Sequence, residues 1–282
     1  MPEIDWPIQS RAKAGDRRNG VRSTNRRRGS ETGGCATAGL PSGGGVGSDT
    51  IVEPNVGMPG CERSLTYGVS EPIRVDIWSD VQCPWCYIGK RRFEAALDGF
   101  DGPVEVEYHS FELAPDTPLD FVGTTVDYLT QRKGLGREQV ELMLDRVTGI
   151  AEDVGLEYHL HDAQQVNTIR AHELIHHAKT LGLQEPMKER LFRAYFTESR
   201  NLGDIDTLVE LAEDVGIEAA DARAALEGNI HLAAVKADVA QAQAYGIQGV
   251  PFFVIDGKYG ISGAQETDTF VRALQQAEAD RA

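Results

Sequence analysis

Ser79-Asp80-Val81-Gln82-Cys83-Pro84-Trp85-Cys86-Tyr87-Ile88-Gly89 joins two patterns of different period. Upstream, Ile73, Val75 and Ile77 alternate with Arg74, Asp76 and Trp78, the two-residue period of a strand. Downstream, Tyr87 to Phe100 reads as a helix: Phe93 and Leu97 are four apart, and Gly99 and Gly102-Pro103 stop it. Alternation returns at Val104, Val106 and Tyr108 against Glu105, Glu107 and His109. Strand, helix and strand in that order imply a parallel crossover with the helix on one face.

From about Thr124 to Ala244 the periodic signal is helical throughout. Val140, Met143, Leu144, Val147, Ile150 and Val154 form one apolar stripe. Further helices are expected over Thr168–Leu181, Pro186–Ser199, Ile205–Val215, Asp221–Glu227 and Leu232–Tyr245. Gly155 and Gly216 each close an Ala-Glu-Asp-Val-Gly segment, where glycine suits a left-handed helix cap. Strands then resume as Phe252–Ile255 and Lys258–Ile261 around Asp256-Gly257, a hairpin pattern whose two central residues tolerate positive φ. A last helix is expected from Thr267 to Glu278. The reading is an α/β core over residues 71–118 and 246–282, interrupted by an inserted all-helical subdomain over 119–245.

Residues 1–70 hold 13 Gly, 7 Ser and 5 Pro, with basic side chains concentrated between Arg11 and Arg28. Such a segment buries too little apolar surface to offset chain entropy, and it is expected to be a disordered, solvated extension. It carries 9 basic and 7 acidic residues, which leaves 19 basic against 37 acidic for the rest of the chain. A folded part that acidic lacks the basic footprint of nucleic-acid binding, so no nucleic-acid partner is expected. No stretch reaches the ~18 apolar residues of a membrane span. The polar run after Arg26-Arg27-Arg28 does not suit an export signal, and a cytoplasmic protein is expected. Four cysteines in 282 residues are too few for a disulfide-stapled scaffold.

The chemistry concentrates at Cys83 and Cys86. A helix start offers unpaired N–H groups and the positive end of the macrodipole, which favour a thiolate. Two intervening residues let both sulfurs meet across one turn, and Pro84 suits a first turn that has no use for its missing N–H. Cys83 is expected to be an exposed nucleophile and Cys86 the resolving thiol that releases a mixed disulfide. Trp85, between them, is expected to be exposed and to touch substrate. Half a zinc site would need two more ligands, and Cys35 and Cys61 show no metal spacing, so no metal is assigned to the pair. Val250-Pro251 precedes the returning strand. If the second half of the sheet lies beside the first, this turn faces Cys83. A cis bond there would offer the Val250 backbone to an extended substrate and pack Pro251 against the sulfurs.

These pieces resemble the FrnE-like branch of the DsbA family, within the thioredoxin superfamily. The match runs through Ser79-Asp80…Cys83-Pro84-Trp85-Cys86-Tyr87-Ile88-Gly89, Asn167-Thr168…Ala171-His172, Phe192…Tyr195-Phe196 and Gly249-Val250-Pro251-Phe252-Phe253, spanning Ile73 to Ala277. The resemblance implies a thioredoxin-like fold with a helical insertion, a Cys83–Cys86 redox pair and a cis Pro251. Some relatives carry a second cysteine pair near the C terminus; here no cysteine follows Cys86. The function expected is disulfide exchange with protein or low-molecular-weight thiol substrates, with no resident cofactor and glutathione as an eligible co-substrate. The alternative is a glutathione-dependent isomerase resembling 2-hydroxychromene-2-carboxylate isomerase, whose relatives place Ser where Cys83 stands.

Three further features accompany the motif. Asp80, three residues before Cys83, is positioned to relay a proton when Cys86 is activated. His172 is expected to line the cleft near Cys83 and contact substrate. His172-Glu173-Leu174-Ile175-His176 also matches H-E-x-x-H, for which Glu198 or His231 would be the third zinc ligand; a packed helix over the cleft is the simpler reading. Phe192, Tyr195 and Phe196 read as core at helical spacing.

Overall fold

In the computed structural model, which describes residues 71–281, the first alternation becomes strand β1 (Ile73–Ser79), central in a four-stranded sheet. The readings made on residues 1–70, including Cys35 and Cys61, lie outside the described residues. Helix α1 (Pro84–Leu97) crosses to strand β2 (Val104–Ser110), which pairs parallel with β1 from Ile73↔Val104 to Ser79↔Ser110. Strand β3 (Phe252–Ile255) runs antiparallel on the other side of β1, with Ile77 opposite Phe253, and β4 (Tyr259–Ser262) closes the sheet. The order is β2-β1-β3-β4. Asp256 and Gly257 take φ of 54° and 65°, the left-handed centre of a tight turn in which the Lys258 N–H donates to the Ile255 carbonyl at 3.0 Å; with Ile255 opposite Tyr259, the connection is three residues long.

Between β2 and β3 lie the helices α2 (Thr125–Gln131), α3 (Arg137–Glu152), α4 (Ile169–Thr180), α5 (Gln184–Phe196), α6 (Ile205–Asp214), α7 (Ala219–Glu227) and α8 (Leu232–Ala244). Helix α9 (Thr267–Ala279) ends the fold. Helix α5 starts two residues before Pro186, because a proline in the first turn forfeits no helical hydrogen bond. It stops at Phe196 rather than Ser199, whose φ of 52° is left-handed. Gly155 and Gly216 take φ of 76° and 87°, the cap conformation their segments suggested.

Two faces of the sheet are covered differently. Ile73, Val75 and Ile77 pack with Phe253, Phe93 of α1 and Phe270 and Leu274 of α9. Trp78, pointing the other way, is buried with Ala242 and Ile247, and its indole N–H donates to the Asp238 carbonyl at 3.1 Å. The largest apolar cluster belongs to the helical segment, and it reaches the start of α1 through Val81, Cys83, Cys86, Tyr87 and Ile88. The redox motif therefore sits where the two packing systems meet.

Candidate active site

Cys83 is the N-cap of α1, in extended backbone (φ −83°, ψ 112°), and Pro84 opens the first turn. The Val250–Pro251 peptide is cis. The Cys83 thiol donates to the Val250 carbonyl at 3.3 Å, so the helix start and the proline turn meet at the sulfur. Gly89 permits this approach: a β-carbon there would stand 3.0 Å from Cγ of Pro251 and 3.4 Å from Cβ of Ala264. Arg92 fixes the same loop by donating to the Ala264 carbonyl at 2.7 Å. Farther along the motif, the Tyr158 hydroxyl donates to the Pro84 carbonyl at 2.8 Å, and the Tyr158 ring stacks on Tyr87 and Phe196.

Two expectations about the cysteines need correction. Cys83 is 2% exposed and Cys86 3%, so the nucleophile is not open to solvent in this free, reduced form. Its pKa is pushed up rather than down. Burial is the main cause, followed by the hydrogen bond and charge of Cys86; the Cys86 N–H at the helix mouth pulls the other way and does not prevail. A helix N-terminus stabilises a thiolate only against the desolvation around it, and that desolvation was not visible in the local sequence. Trp85 is half-buried rather than exposed. With Leu142, Met143 and Val147 of α3 it lines a largely apolar groove of about 430 Å³, rimmed by Glu138 and Arg146.

His172 is not in the cleft. It is 1% exposed and points to Asp80, with Nε2 3.4 Å from Oδ1, so direct substrate contact is closed to it. Asp80, also 1% exposed, accepts the Leu113 N–H at 2.7 Å. Burial works against its charge, but His172, then the Leu113 N–H and the Lys188 charge, hold its pKa below the ordinary carboxylate value. His176, the second histidine of H-E-x-x-H, turns elsewhere: its Nε2 lies 3.0 Å from Asp238 and 3.2 Å from Ser110 Oγ. The two histidines thus serve different carboxylates instead of converging. Phe192, Tyr195 and Phe196 are buried in the helical core, as their spacing implied.

Lys188 was missed. It is 1% exposed on α5, with its ammonium 3.4 Å from the Ser79 carbonyl and 4.8 Å from the Phe192 ring centroid. Burial lowers its pKa to about 8, against the opposing pull of Cys86, Asp80 and Cys83. The available signal was its place four residues before Phe192 on an apolar stripe. Lys90 of α1 is buried as well, and it pairs with Glu185 at 2.7 Å and Glu189 at 2.8 Å, both on α5, and with Glu94. This ion cluster clamps α5 to α1 and so sets Lys188 behind the cysteines. Half-buried Glu112, beside Leu113, has its pKa raised to about 7 by burial and then by Asp80.

The family model described as DSBA-like thioredoxin domain matches residues 74–275. The uncharacterized protein YwbO of Bacillus subtilis is 33% identical over 210 residues, 72% of this chain and 96% of its own. The crystal structure of a probable DsbA oxidoreductase from Streptomyces coelicolor aligns with a TM-score of 0.71 at 41% identity, over 74% of this chain and 92% of that one. The cytosolic disulfide reductase DsbM from Pseudomonas aeruginosa, solved with GSH, shares the fold at 20% identity and a TM-score of 0.54, over 73% and 99% of the two chains.

Proposed function

The chain belongs to the DSBA-like thioredoxin domain family, and from that premise we propose that it is a thiol–disulfide oxidoreductase working through Cys83 and Cys86. The observation that carries the reading is the convergence at Cys83 Sγ of the helix mouth and the Val250 carbonyl, 3.3 Å away. An extended chain seated along the Val250–Pro251 turn meets the sulfur from the side that the thiol now occupies. The Cys83 thiolate attacks one sulfur of a client disulfide; a mixed disulfide forms, and the other client sulfur leaves and takes up a proton. Cys86 then attacks Cys83 Sγ. The mixed disulfide breaks, the client departs as a dithiol reduced by two electrons, and the enzyme is left oxidised. The reverse sequence oxidises a client.

The buried groups take positioning and proton-handling roles in this scheme. Lys188 places a positive charge behind the thiolate that must form in a water-free setting, where a lone anion is costly. Asp80 receives or returns the proton of the resolving thiol, and His172 holds Asp80. Trp85 and the Val250 backbone bear on the client, and Pro251 walls the sulfurs. The substrate class is a disulfide-bearing protein or a low-molecular-weight thiol, with glutathione as co-substrate rather than bound cofactor. Among the described residues no helix is long and apolar enough to cross a membrane. The cytoplasmic reading rests on the polar run after Arg26-Arg27-Arg28, which does not suit an export signal, and a tagged full-length chain would locate it.

The test is insulin or glutathione-disulfide exchange by wild type, Cys83→Ser and Cys86→Ala. Exchange is expected to vanish with Cys83→Ser, while Cys86→Ala should trap a mixed disulfide. Full exchange by Cys83→Ser would overturn the assignment. Glutathione-dependent turnover that persists without Cys86 would move it to the isomerase class.

A further inference from the structure

Tyr158 lies in the segment that joins α3 to α4, outside any helix or strand, yet it is only 5% exposed. Its backbone neighbours are fastened on both sides to the end of α5. The Thr197 hydroxyl donates to the Glu157 carbonyl at 2.8 Å, and the His159 N–H donates to the Phe196 carbonyl at 2.7 Å. The Tyr158 ring is stacked on Phe196 at 4.5 Å between centroids and on Tyr87 at 6.2 Å. The hydroxyl oxygen is thereby fixed in place, and its hydrogen is directed to the Pro84 carbonyl, 2.8 Å away. The same segment also holds the residue before Cys83: the Gln82 amide donates to the Val166 carbonyl, and the Tyr195 hydroxyl donates to Gln82 at 3.3 Å.

The acceptor that Tyr158 meets gives the bond its chemical weight. Pro84 is the first residue of α1, so its carbonyl and the Trp85 N–H form one peptide unit at the helix mouth. The helical pattern engages that carbonyl with the Ile88 N–H, and a second lone pair remains for Tyr158. Trp85 and Cys86 carry the N–H groups of the second and third helical positions. These have no acceptor inside the helix, and they are the donors that a cap side chain meets. Cys83 is that cap. As a thiol it donates to the Val250 carbonyl. Once ionised it can only accept, and the carbonyl oxygen becomes an unfavourable neighbour. The thiolate then depends on the N–H groups of the helix mouth, of which that of Cys86 already acts on the sulfur. A donor bonded to a carbonyl polarises the peptide unit and strengthens its N–H in turn.

Resting on the reading of Cys83 as nucleophile, we propose that Tyr158 is a positioning residue of disulfide exchange: through the Pro84–Trp85 peptide, its hydroxyl strengthens the N–H that receives the Cys83 thiolate. Burial, then the charge of Cys83, pushes the Tyr158 phenol well above its ordinary value, so the hydroxyl stays a donor throughout the neutral range. Unlike Lys188, Tyr158 brings no charge into the desolvated site. It ties the stability of the thiolate to the docking of the α3–α4 segment on α5, and so makes the helical insertion part of the redox centre.

The test reads the sulfur itself and needs no client: iodoacetamide alkylation of the reduced full chain across pH, localised to Cys83 by mass spectrometry. Tyr158→Phe keeps the ring and its stacking and removes only the donor. It is expected to slow alkylation at pH 7 about threefold, with the pH midpoint moved up to match. Replacement of Tyr158 by 3-fluorotyrosine, through nonsense suppression, gives a more acidic hydroxyl and a stronger donor. It should speed alkylation and move the midpoint down. A packing role alone predicts loss in both variants or in neither. Opposite movements support the proposal; any other pattern, including an unchanged Cys83 in Tyr158→Phe, overturns it. A wild type that exchanges no disulfide yet shows opposite movements would fail as an oxidoreductase while the role of Tyr158 at the sulfur stood.

Discussion

His172 Nε2 stands 3.4 Å from Asp80 Oδ1, and both side chains are 1% exposed. An acid from the loop after β1 and a base from α4 thus share a dry site. Burial lowers the His172 pKa despite the pull of Asp80. The folded state therefore resists the imidazolium, the unfolded chain accepts it, and stability falls as pH drops below about 6.5. The lowered pKa of Asp80 adds a second loss further down, as pH falls through its folded value. Urea unfolding should show wild type losing stability from pH 7 toward 5, and His172→Gln should flatten that slope. His109, raised despite burial by Asp238 and Asp76, contributes stability that is lost as pH climbs through its folded value; it is present in both proteins and cancels in the difference. Equal slopes would remove His172 from the buried pair.

Much of this architecture could be read beforehand, for reasons that are local. Alternation at Ile73–Ile77, the Asp256-Gly257 turn and the glycine caps depend on near neighbours in the chain. What escaped was set by distant partners. Cys83 looked exposed because a helix mouth usually is, yet the helical segment and the Val250 turn close over it. His172 looked like a cleft residue, although the loop after β1 brings Asp80 beneath it. Lys188 has no local signal beyond its spacing from Phe192, and the Lys90 clamp on Glu185 and Glu189 shows why it faces inward.

Lys188 should matter for reactivity and little for folding. It is cationic below about pH 8 and lies in the field of both cysteines and Asp80. Methionine fills nearly the same volume, and it is free of the desolvation cost that a buried ammonium without an ion-pair partner carries. Lys188→Met is expected to keep or gain stability while Cys83 alkylation at pH 7 slows about tenfold, the equivalent of one unit of thiol pKa. The inflection near pH 8 expected in the wild-type pH–rate profile should be absent from the variant. A variant that alkylates at the wild-type rate would leave Lys188 with a packing role alone.

Burial of Cys83 bears on redox direction. A strong oxidant owes its potential to a reduced form stabilised as thiolate. Here burial, ahead of the Cys86 contacts, pushes the Cys83 thiol up. The dithiol gains little from ionisation, and the potential is expected near the thioredoxin end, about −270 mV, rather than near −120 mV. Equilibration in glutathione buffers with alkylation of the remaining thiols measures it. A value at the oxidising end would contradict the desolvated thiol described above.

Gly89 and Gly149 offer a matched pair of substitutions. Gly89→Ala places a methyl 3.0 Å from Pro251 Cγ, so the proline turn or α1 must move. Overpacking of this kind costs roughly 1–3 kcal/mol, and here it should also slow disulfide exchange. Gly149 is exposed on α3 with nothing within 4 Å of an added β-carbon, and Ala there should gain about 0.5–1 kcal/mol at unchanged activity. Denaturant midpoints and exchange rates on both variants decide the matter. A Gly89→Ala protein as active and stable as wild type would show that the approach of α1 to the turn is slack.

The groove between Trp85 and α3 separates polypeptide clients from small disulfides. Its apolar lining is Leu142, Met143 and Val147, and one acid and one base, Glu138 and Arg146, lie beside them. That lining suits an apolar side chain near the client cysteine better than the carboxylates of glutathione. Leu142 is 65% exposed, so a glutamate there costs little stability while placing a charge where the client side chain would lie. Leu142→Glu is expected to slow exchange with an unfolded disulfide-bearing polypeptide about tenfold, the scale of one lost interface anchor, and to leave exchange with oxidised glutathione nearly unchanged. Trp85→Ala should slow both, because it also disturbs the turn between the sulfurs. Equal loss on the two substrates in Leu142→Glu would mean a general disturbance of the redox helix, and no loss on either would mean that clients approach from another side.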